Sequence, residues 1–121
     1  MERIQQLLNF LEKEPNDTFL IYAVATEYLK TDTQKALIYF ENLLQNYSEY
    51  IPTYYHAAEL YTNLEEYEKA NKTYLKGINV CEQLIEQAQK QNQEADRVTI
   101  KTLQELKSAY ELFLMEFEDE L

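Results

Sequence analysis

Four residue types are scarce in this chain of 121 residues, which has one glycine, one cysteine, one histidine and two prolines. A single glycine excludes a glycine-rich phosphate loop, which needs several glycines close together. A single cysteine excludes an intramolecular disulfide and a cluster of thiolate metal ligands, and it fits a reducing compartment. Because so few residues can form tight turns and strand-like alternation is absent, the sequence predicts helices throughout.

Basic residues are also scarce, with 11 Lys and Arg against 22 Asp and Glu, which gives a formal net charge of −11. This charge repels phosphate groups, so we expect no binding to nucleic acid or to an anionic membrane surface. A basic peptide or a basic protein surface is the better electrostatic match. The alternative is that the charge only keeps the protein soluble.

Long apolar runs are missing as well, since none approaches the ~20 residues of a membrane-spanning helix. The first 15 residues, MERIQQLLNFLEKEP, contain charged and polar residues that the apolar region of a signal peptide does not tolerate. We therefore expect a cytoplasmic protein. Apolar residues make up 45% of the chain, enough to form the core of a single domain.

Residues suited to catalysis are few. His56 is the only histidine, and Cys81 falls on a predicted buried stripe, where a cysteine usually fills space. His56 and Glu59 have the spacing of half a di-metal carboxylate site, but such a site needs a second histidine. We therefore expect no enzyme, no metal and no cofactor. A separate hypothesis, an enzyme that uses carboxylates alone, requires a pocket that gathers at least two acidic side chains.

Apolar residues recur at intervals of three and four, which is the pattern of amphipathic helices. The pattern predicts helices at about residues 2–13, 18–30, 33–47, 52–63 and 65–90, and a last helix from 96 onward. Pro15 ends the first helix, Asn16 or Asp17 caps the second, and Asp96 caps the last. The sequence therefore predicts an all-α fold of about six helices.

Two of the predicted helix pairs repeat each other. In the second helix of each pair, the matched residues at a shift of 34 are Ala36 with Ala70, Phe40 with Tyr74, and Leu43 with Gly77. In the first helix, the matched residues at a shift of 33 are Ile21 with Tyr54, Val24 with Ala57, Ala25 with Ala58, and Tyr28 with Tyr61. The turn inside the first pair is therefore predicted to be one residue shorter. Self-similarity at this period is typical of stacked helical repeats.

The repeated residues resemble those of the tetratricopeptide repeat, in which large and small residues alternate at fixed positions of two helices. The motifs Y-x-x-A-A-x-x-Y and A-x-x-x-Y-x-x-G in residues 54–77 are similar to it, and so are I-x-x-V-A-x-x-Y and A-x-x-x-F-x-x-L in residues 21–43. The resemblance covers about residues 3–84. Ser48 and Glu82 replace the prolines expected at two later positions. The family resemblance implies a right-handed helical repeat stack.

The resemblance divides the single domain 1–121 into parts. Residues 1–15 are expected to form an N-terminal half-repeat, 18–50 the first repeat, 51–84 the second repeat with its last helix extended to about 90, and 96–118 a capping helix. Such a cap covers the apolar end of a short stack. The alternative is that this end pairs with a second copy of the chain.

Small residues at the repeated positions predict close approach of neighbouring helices. Glycine inside a helix costs about 1 kcal/mol relative to alanine, so Gly77 needs a packing reason. Large aromatic residues on either side then fill the space between the helices. The alternative is that Gly77 ends its helix as a C-cap. The apolar stripe argues against this alternative, because it continues through Ile78, Cys81 and Ile85.

The family resemblance also implies a binding site, because the first helix of each repeat lines a concave groove where peptides or protein segments commonly bind. The corresponding residues here are Phe19, Tyr22, Thr26, Leu29, Tyr55, His56, Glu59, Thr62 and Asn63. Phe19, Tyr22 and Tyr55 are the expected anchors, and Glu59 is the expected charge selector. The alternative is that a terminal helix folds across the groove and makes these residues ordinary core.

The expected function is that of a non-catalytic interaction scaffold, of a type that resembles small bacterial tetratricopeptide proteins. The family's best-known mode grips a carboxylate with Lys, Arg and Asn, whereas the matching positions here include Tyr22, Thr26 and His56. We therefore expect no carboxylate clamp. The alternative function is a self-assembling subunit, a homodimer that uses the same surfaces.

Overall fold

The computed structural model describes residues 2–121, so Met1, the first residue of the predicted half-repeat, lies outside the described residues. The helices are α1 (Arg3–Lys13), α2 (Thr18–Tyr28), α3 (Thr33–Asn46), α4 (Pro52–Asn63), α5 (Tyr67–Lys90) and α6 (Arg97–Phe117). A short 3-10 helix, Glu118–Glu120, follows α6. The described residues form no strand, and the predicted all-α fold of six helices is confirmed.

Three helices begin at an aspartate whose side chain accepts a hydrogen bond from the backbone of the first turn. Asp17 does so for α2, Asp32 for α3 and Asp96 for α6. Each carboxylate satisfies a backbone N–H that has no partner inside the helix. Its negative charge also interacts favourably with the positive end of the helix dipole. These caps fix where the three helices begin. Helix α1 ends at Lys13, two residues before Pro15.

Internal contacts divide the chain into two compact units, one ending at Thr53 and the other comprising Tyr54–Leu121. In the first unit, α2 packs against both α1 and α3. The buried apolar residues of this unit are Ile21, Val24, Ala25, Ala36, Phe40, Leu43 and Ile51. Helix α1 has no buried residue, and its apolar side chains at Ile4, Leu7, Leu8 and Leu11 are half-buried.

In the second unit, α6 packs along α5 through a row of aromatic rings. Tyr67 stacks on Phe117 with ring centres 4.6 Å apart, and Tyr74 meets Phe113 at 5.4 Å. The buried apolar residues of this unit are Tyr54, Ala57, Ala58, Leu60, Tyr61, Ala70, Tyr74, Val80, Cys81, Leu106 and Phe113. Ile100, near the start of α6, is 39% exposed and does not belong to this core.

Gly77 lies inside α5 and faces the buried side chain of Tyr54 in α4. A methyl group on its Cα would come within 2.7 Å of both Cβ and Cγ of Tyr54, and within 3.0 Å of Leu106 Cδ1. The packing reason for this glycine is therefore confirmed, and the C-cap alternative is wrong. The space left by the missing side chain is occupied by the tyrosine, so the close approach at this position is between a helix backbone and a large side chain.

The turn inside the second helix pair is shorter than the turn inside the first. Helix α2 ends at Tyr28 and α3 begins at Thr33, whereas α4 ends at Asn63 and α5 begins at Tyr67. The expectation of a shorter first turn is wrong, because α4 continues two residues past Tyr61, whereas α2 ends at the matching residue Tyr28. Glu65 closes the short turn with a φ of 62°. A non-glycine residue in this left-handed conformation costs roughly 1 kcal/mol.

Candidate protein-binding site

The predicted site residues of the first unit lie on one side of α2, at intervals of three and four residues. Phe19 is 63% exposed, whereas Tyr22 is half-buried with its ring edge against Tyr50 at a centroid distance of 5.8 Å. Burial raises the pKa of the Tyr22 hydroxyl. Thr26 and Leu29 are half-buried, and the Thr26 hydroxyl donates to a backbone carbonyl of its own helix. Phe19 is therefore the most accessible apolar side chain on this side of α2.

The predicted site residues of the second unit lie on α4 and differ in exposure. Tyr55 is 38% exposed, and its ring meets that of His56 edge-on at 5.8 Å. Glu59 and Asn63 are exposed, while His56 and Thr62 are half-buried. The Thr62 hydroxyl donates to the carbonyl one turn earlier in the helix. Within this set, Tyr55 therefore offers an accessible aromatic ring, and Glu59 offers an accessible carboxylate on the same helix.

Tyr55 lines two adjoining cavities between α4 and α6, which together are called the α4–α6 cleft. The first has a volume of about 420 Å³ and is lined by Tyr55, Gln104, Glu105, Ser108, Ala109 and Leu112. The second has a volume of about 190 Å³ and is lined by Tyr55, Glu59, Thr62, Tyr74, Ala109, Leu112, Phe113, Glu116 and Phe117. The structure therefore brings Tyr55, Glu59 and Thr62 together, while His56 and Asn63 line neither cavity.

The two walls of the α4–α6 cleft come from different helices. Tyr55 stands on the α4 wall, and Leu112, which is 66% exposed, stands on the α6 wall. Buried Tyr74 and Phe113 form the apolar base of the smaller cavity. Since Tyr55 keeps more than a third of its surface exposed, α6 borders this ring and does not cover it.

The α4–α6 cleft is negatively charged, because its lining includes three glutamates and neither lysine nor arginine. The pKa of the Tyr55 hydroxyl is raised chiefly by the charge of Glu59, then by partial burial, and further by Glu105. Burial, with smaller contributions from Tyr55 and Glu59, raises the pKa of Tyr74 to about 12. Negative charge therefore acts on the hydroxyl groups inside the cleft, which favours a cationic ligand.

The groups considered for catalysis are in settings that do not activate them. Burial lowers the pKa of His56 despite the opposing charge of Glu59, and burial raises the pKa of the Cys81 thiol. A raised pKa keeps the thiol protonated, and the protonated form is the weaker nucleophile. Across residues 2–121, no three His, Cys, Asp or Glu side chains are grouped so that they could hold a metal ion.

The smaller cavity contains two carboxylates, Glu59 and Glu116. The requirement stated for an enzyme that uses carboxylates alone, a pocket with two acidic side chains, is therefore met. Both side chains are solvent-exposed, whereas acid–base chemistry by carboxylates relies on burial or close pairing to separate their roles. The exposed pair is better suited to binding a positive charge.

None of the described helices is long and apolar enough to cross a membrane.

The α6 wall of the cleft was not predicted from the sequence. None of the predicted site residues lies on α6, whereas the cleft uses Ala109 and Leu112 of this helix. A signal was present in the sequence, since Leu112 directly precedes Phe113, which is buried, and therefore lies on a different side of the helix. It could have indicated a second apolar surface on α6.

Solved structures similar to this chain come from the bacterium Salinibacter ruber. A solution NMR structure of a tetratricopeptide repeat domain protein is 36% identical, with a TM-score of 0.63, and the match covers 82% of this chain and 88% of that chain. A crystal structure of a tetratricopeptide repeat domain protein is 35% identical, also with a TM-score of 0.63, and the match covers 81% of this chain and 96% of that chain.

A scan against protein-family models gave no match. A search of curated proteins gave none either. The structural matches exceed 30% identity over most of both chains. The chain belongs to the tetratricopeptide repeat family.

Proposed function

We propose that this protein is a non-catalytic scaffold that binds a protein or peptide segment in an aromatic-lined concave groove, in the bacterial cytoplasm. Membership of the tetratricopeptide family supports the general role, since its members are protein-interaction scaffolds. The observation that carries the site is the exposed ring of Tyr55, which stands in a cleft instead of in the core. Partly exposed aromatic rings beside apolar pockets are typical anchors of protein interfaces.

The proposed binding residues fall on two helices. They are Phe19, Tyr22 and Thr26 on α2 with Leu29 at its C-cap, and Tyr55, His56, Glu59, Thr62 and Asn63 on α4. Phe19, Tyr22 and Tyr55 serve as anchors, and Glu59 selects for positive charge. The partner is a protein or peptide with a basic surface, because the net charge is −11 and acidic side chains line the cleft.

Affinity capture from a bacterial lysate tests the proposal when the same bait is compared in three forms. We expect a partner captured by the wild type to be lost from Tyr22→Ala/Tyr55→Ala and retained by Phe10→Ala. Phe10 is a suitable control because it is 57% exposed and belongs to α1, outside the proposed site. A set of captured proteins that is the same for all three baits would contradict the proposed site.

The second candidate function is self-assembly into a homodimer, which is favoured by two exposed apolar side chains on α6. Leu112 is 66% exposed and Met115 is 83% exposed. Light scattering across a hundredfold range of concentration tests this function. A dimer that weakens in Tyr55→Ala or Leu112→Ser would support it, and a constant monomer mass would contradict it.

A further inference from the structure

We propose that the α4–α6 cleft takes a short extended segment that has Lys or Arg at both ends and apolar residues between them. This inference rests on the proposed function and adds the chemistry and the spacing of the ligand. It also moves half of the site onto α6, where no binding residue was predicted.

The spacing of the segment follows from two glutamates on α6. Glu105 lines the larger cavity and Glu116 the smaller one, so the two carboxylates mark opposite ends of the cleft. Eleven residues separate them, which is close to three helical turns, so they lie on the same side of α6 about 16 Å apart along the axis. Ala109 and Leu112 lie between them and line both cavities.

An extended peptide rises about 3.3 Å per residue, so about five residues span the distance between Glu105 and Glu116. Successive side chains of an extended chain point to opposite sides, so two cations that both face α6 must be an even number of residues apart. Positions one and seven, about 20 Å apart, meet this condition when their long side chains lean inward to the two carboxylates. The residues at positions three and five would face Ala109 and Leu112, which calls for apolar side chains there. Cavities of about 420 and 190 Å³ accommodate individual side chains of such a segment. A helical ligand, about 10–12 Å wide with its side chains, would be too large to enter them.

The α4 wall supports the same assignment. A Lys or Arg beside Glu59 would also lie near the ring of Tyr55, whose face attracts cations. Glu105 has one neighbouring cation, since Lys101 Nζ lies 4.0 Å from its carboxylate, and both side chains are more than half exposed. An exposed pair at this distance contributes little, so an incoming cation can replace Lys101.

Fluorescence anisotropy with a defined probe tests the inference on the full chain. The probe is a fluorescein-labelled peptide, Arg-Ser-Leu-Ser-Phe-Ser-Arg, whose two arginines and two apolar residues share one side of an extended chain. The matched control, Ser-Leu-Ser-Arg-Arg-Phe-Ser, has the same composition with adjacent arginines. We expect the first peptide to bind at least fivefold more tightly than the second, and its affinity to fall as salt is raised.

Protein variants separate the cleft from the general negative charge. We expect Glu105→Gln/Glu116→Gln to weaken binding of the probe about fivefold, whereas Glu111→Gln/Glu118→Gln, with the same change in net charge, stays within twofold. Glu111 and Glu118 are exposed and line neither cavity. Leu112→Ser is likewise expected to weaken binding about fivefold and Met115→Ser less than twofold.

Equal losses in the two glutamine pairs, or equal affinity for the two peptides, would overturn the inference. So would absence of binding. Tighter binding of an uncharged version of the probe, lost in Tyr55→Ala, would overturn the charge assignment and leave the proposed function standing. If the protein instead self-associates, and Glu105→Gln/Glu116→Gln abolishes that self-association, then the ligand of the cleft would be a second copy of the chain. Failure of the proposed function itself is read from the capture experiment, which uses no assumption about charge.

Discussion

The helix pairs α2–α3 and α4–α5 solve the same packing problem with different residues. At one matched pair of positions the first repeat has Ile21 and Leu43, which are 1% and 0% exposed. The second repeat has Tyr54, which is 0% exposed, and Gly77. A large residue on one helix is therefore matched by the absence of a side chain on the other. In the second repeat the larger residue at one position thus goes with the smallest residue at the other, so the residues tolerated at the two positions depend on each other.

The two pairs also differ in what they expose. In the first repeat the exposed aromatic residue, Phe19, lies on α2, whereas Tyr55 of the second repeat lies in the cleft bordered by α6. Helix α6 thus supplies one wall of the candidate site. Each of the following changes tests whether the two repeats differ for the reasons given.

The largest effect is expected from removing the tyrosine that fills the space over Gly77. Tyr54→Ala should lower the free energy of unfolding by about 4 kcal/mol, because a fully buried aromatic side chain is lost and the neighbouring glycine cannot fill the cavity. Ile21→Ala, at the matched position, should cost about 3 kcal/mol. Urea denaturation followed by circular dichroism measures both, and a loss below about 1 kcal/mol in Tyr54→Ala would contradict the packing account.

The effect of a methyl group at Gly77 on the free energy of unfolding should depend on whether position 54 is tyrosine or a smaller residue. Gly77→Ala should destabilise the wild type by about 2 kcal/mol, since the new Cβ overlaps the tyrosine and overpacking outweighs the gain in helix propensity. In a Tyr54→Ile background, which resembles the first repeat, the same substitution should be neutral or stabilising by up to about 1 kcal/mol.

A thermodynamic cycle of these variants measures the coupling between the two positions. Equal effects of Gly77→Ala in both backgrounds would show that the two positions do not compensate each other. Ala70→Gly in both backgrounds is a suitable control for helix propensity, because Ala70 lies on the same helix and is also buried.

High pH should affect stability through Tyr74 and not through Phe40, the matching residue of the first repeat, because only the tyrosine can ionise. The pKa of Tyr74 is raised to about 12 from the ordinary 10, so the folded state favours the neutral phenol. Its stabilising contribution is complete below pH 10 and is lost as the pH rises toward 12. Tyr74→Phe should therefore retain about 1 to 2 kcal/mol more of its stability than the wild type between pH 9 and pH 12.

Urea denaturation at each pH, with tyrosinate absorbance recorded in parallel, checks this expectation. Tyr39→Phe is the comparison in the first repeat, where the pKa of a half-buried tyrosine is also raised by burial. An equal gain from both substitutions would contradict the particular role of Tyr74.

The smallest effect concerns the short turn between α4 and α5. Glu65 has a φ of 62°, and the turn between α2 and α3 contains no residue with positive φ. Glycine adopts this conformation without steric cost, so Glu65→Gly should stabilise the protein by about 0.5 kcal/mol after the greater flexibility of the unfolded chain is counted. Thermal unfolding measures the shift, and a lower melting temperature would contradict the assignment of strain to Glu65.

The sequence predicts the six helices and the family well because small and large residues recur at a fixed period. It also predicts a packing reason for Gly77, because a helical glycine within an apolar stripe needs one. The partner of Gly77 was not predictable, since the pattern shows which positions are small and not which side chain fills the space. Binding residues on α6 were missed for a related reason. The repeat motifs lie on α2 to α5, and α6 lies outside them.

Photo-crosslinking tests most directly whether the α4–α6 cleft is where a partner docks. The photo-reactive residue p-benzoylphenylalanine replaces Tyr55, Leu112 or Leu75 in separate variants produced in bacterial cells. Leu75 is the control, because it is 46% exposed on α5 and lines neither cavity of the cleft. We expect the same crosslinked protein adduct from positions 55 and 112 and none from position 75. An adduct that forms equally at all three positions, or at position 75 alone, would contradict the account.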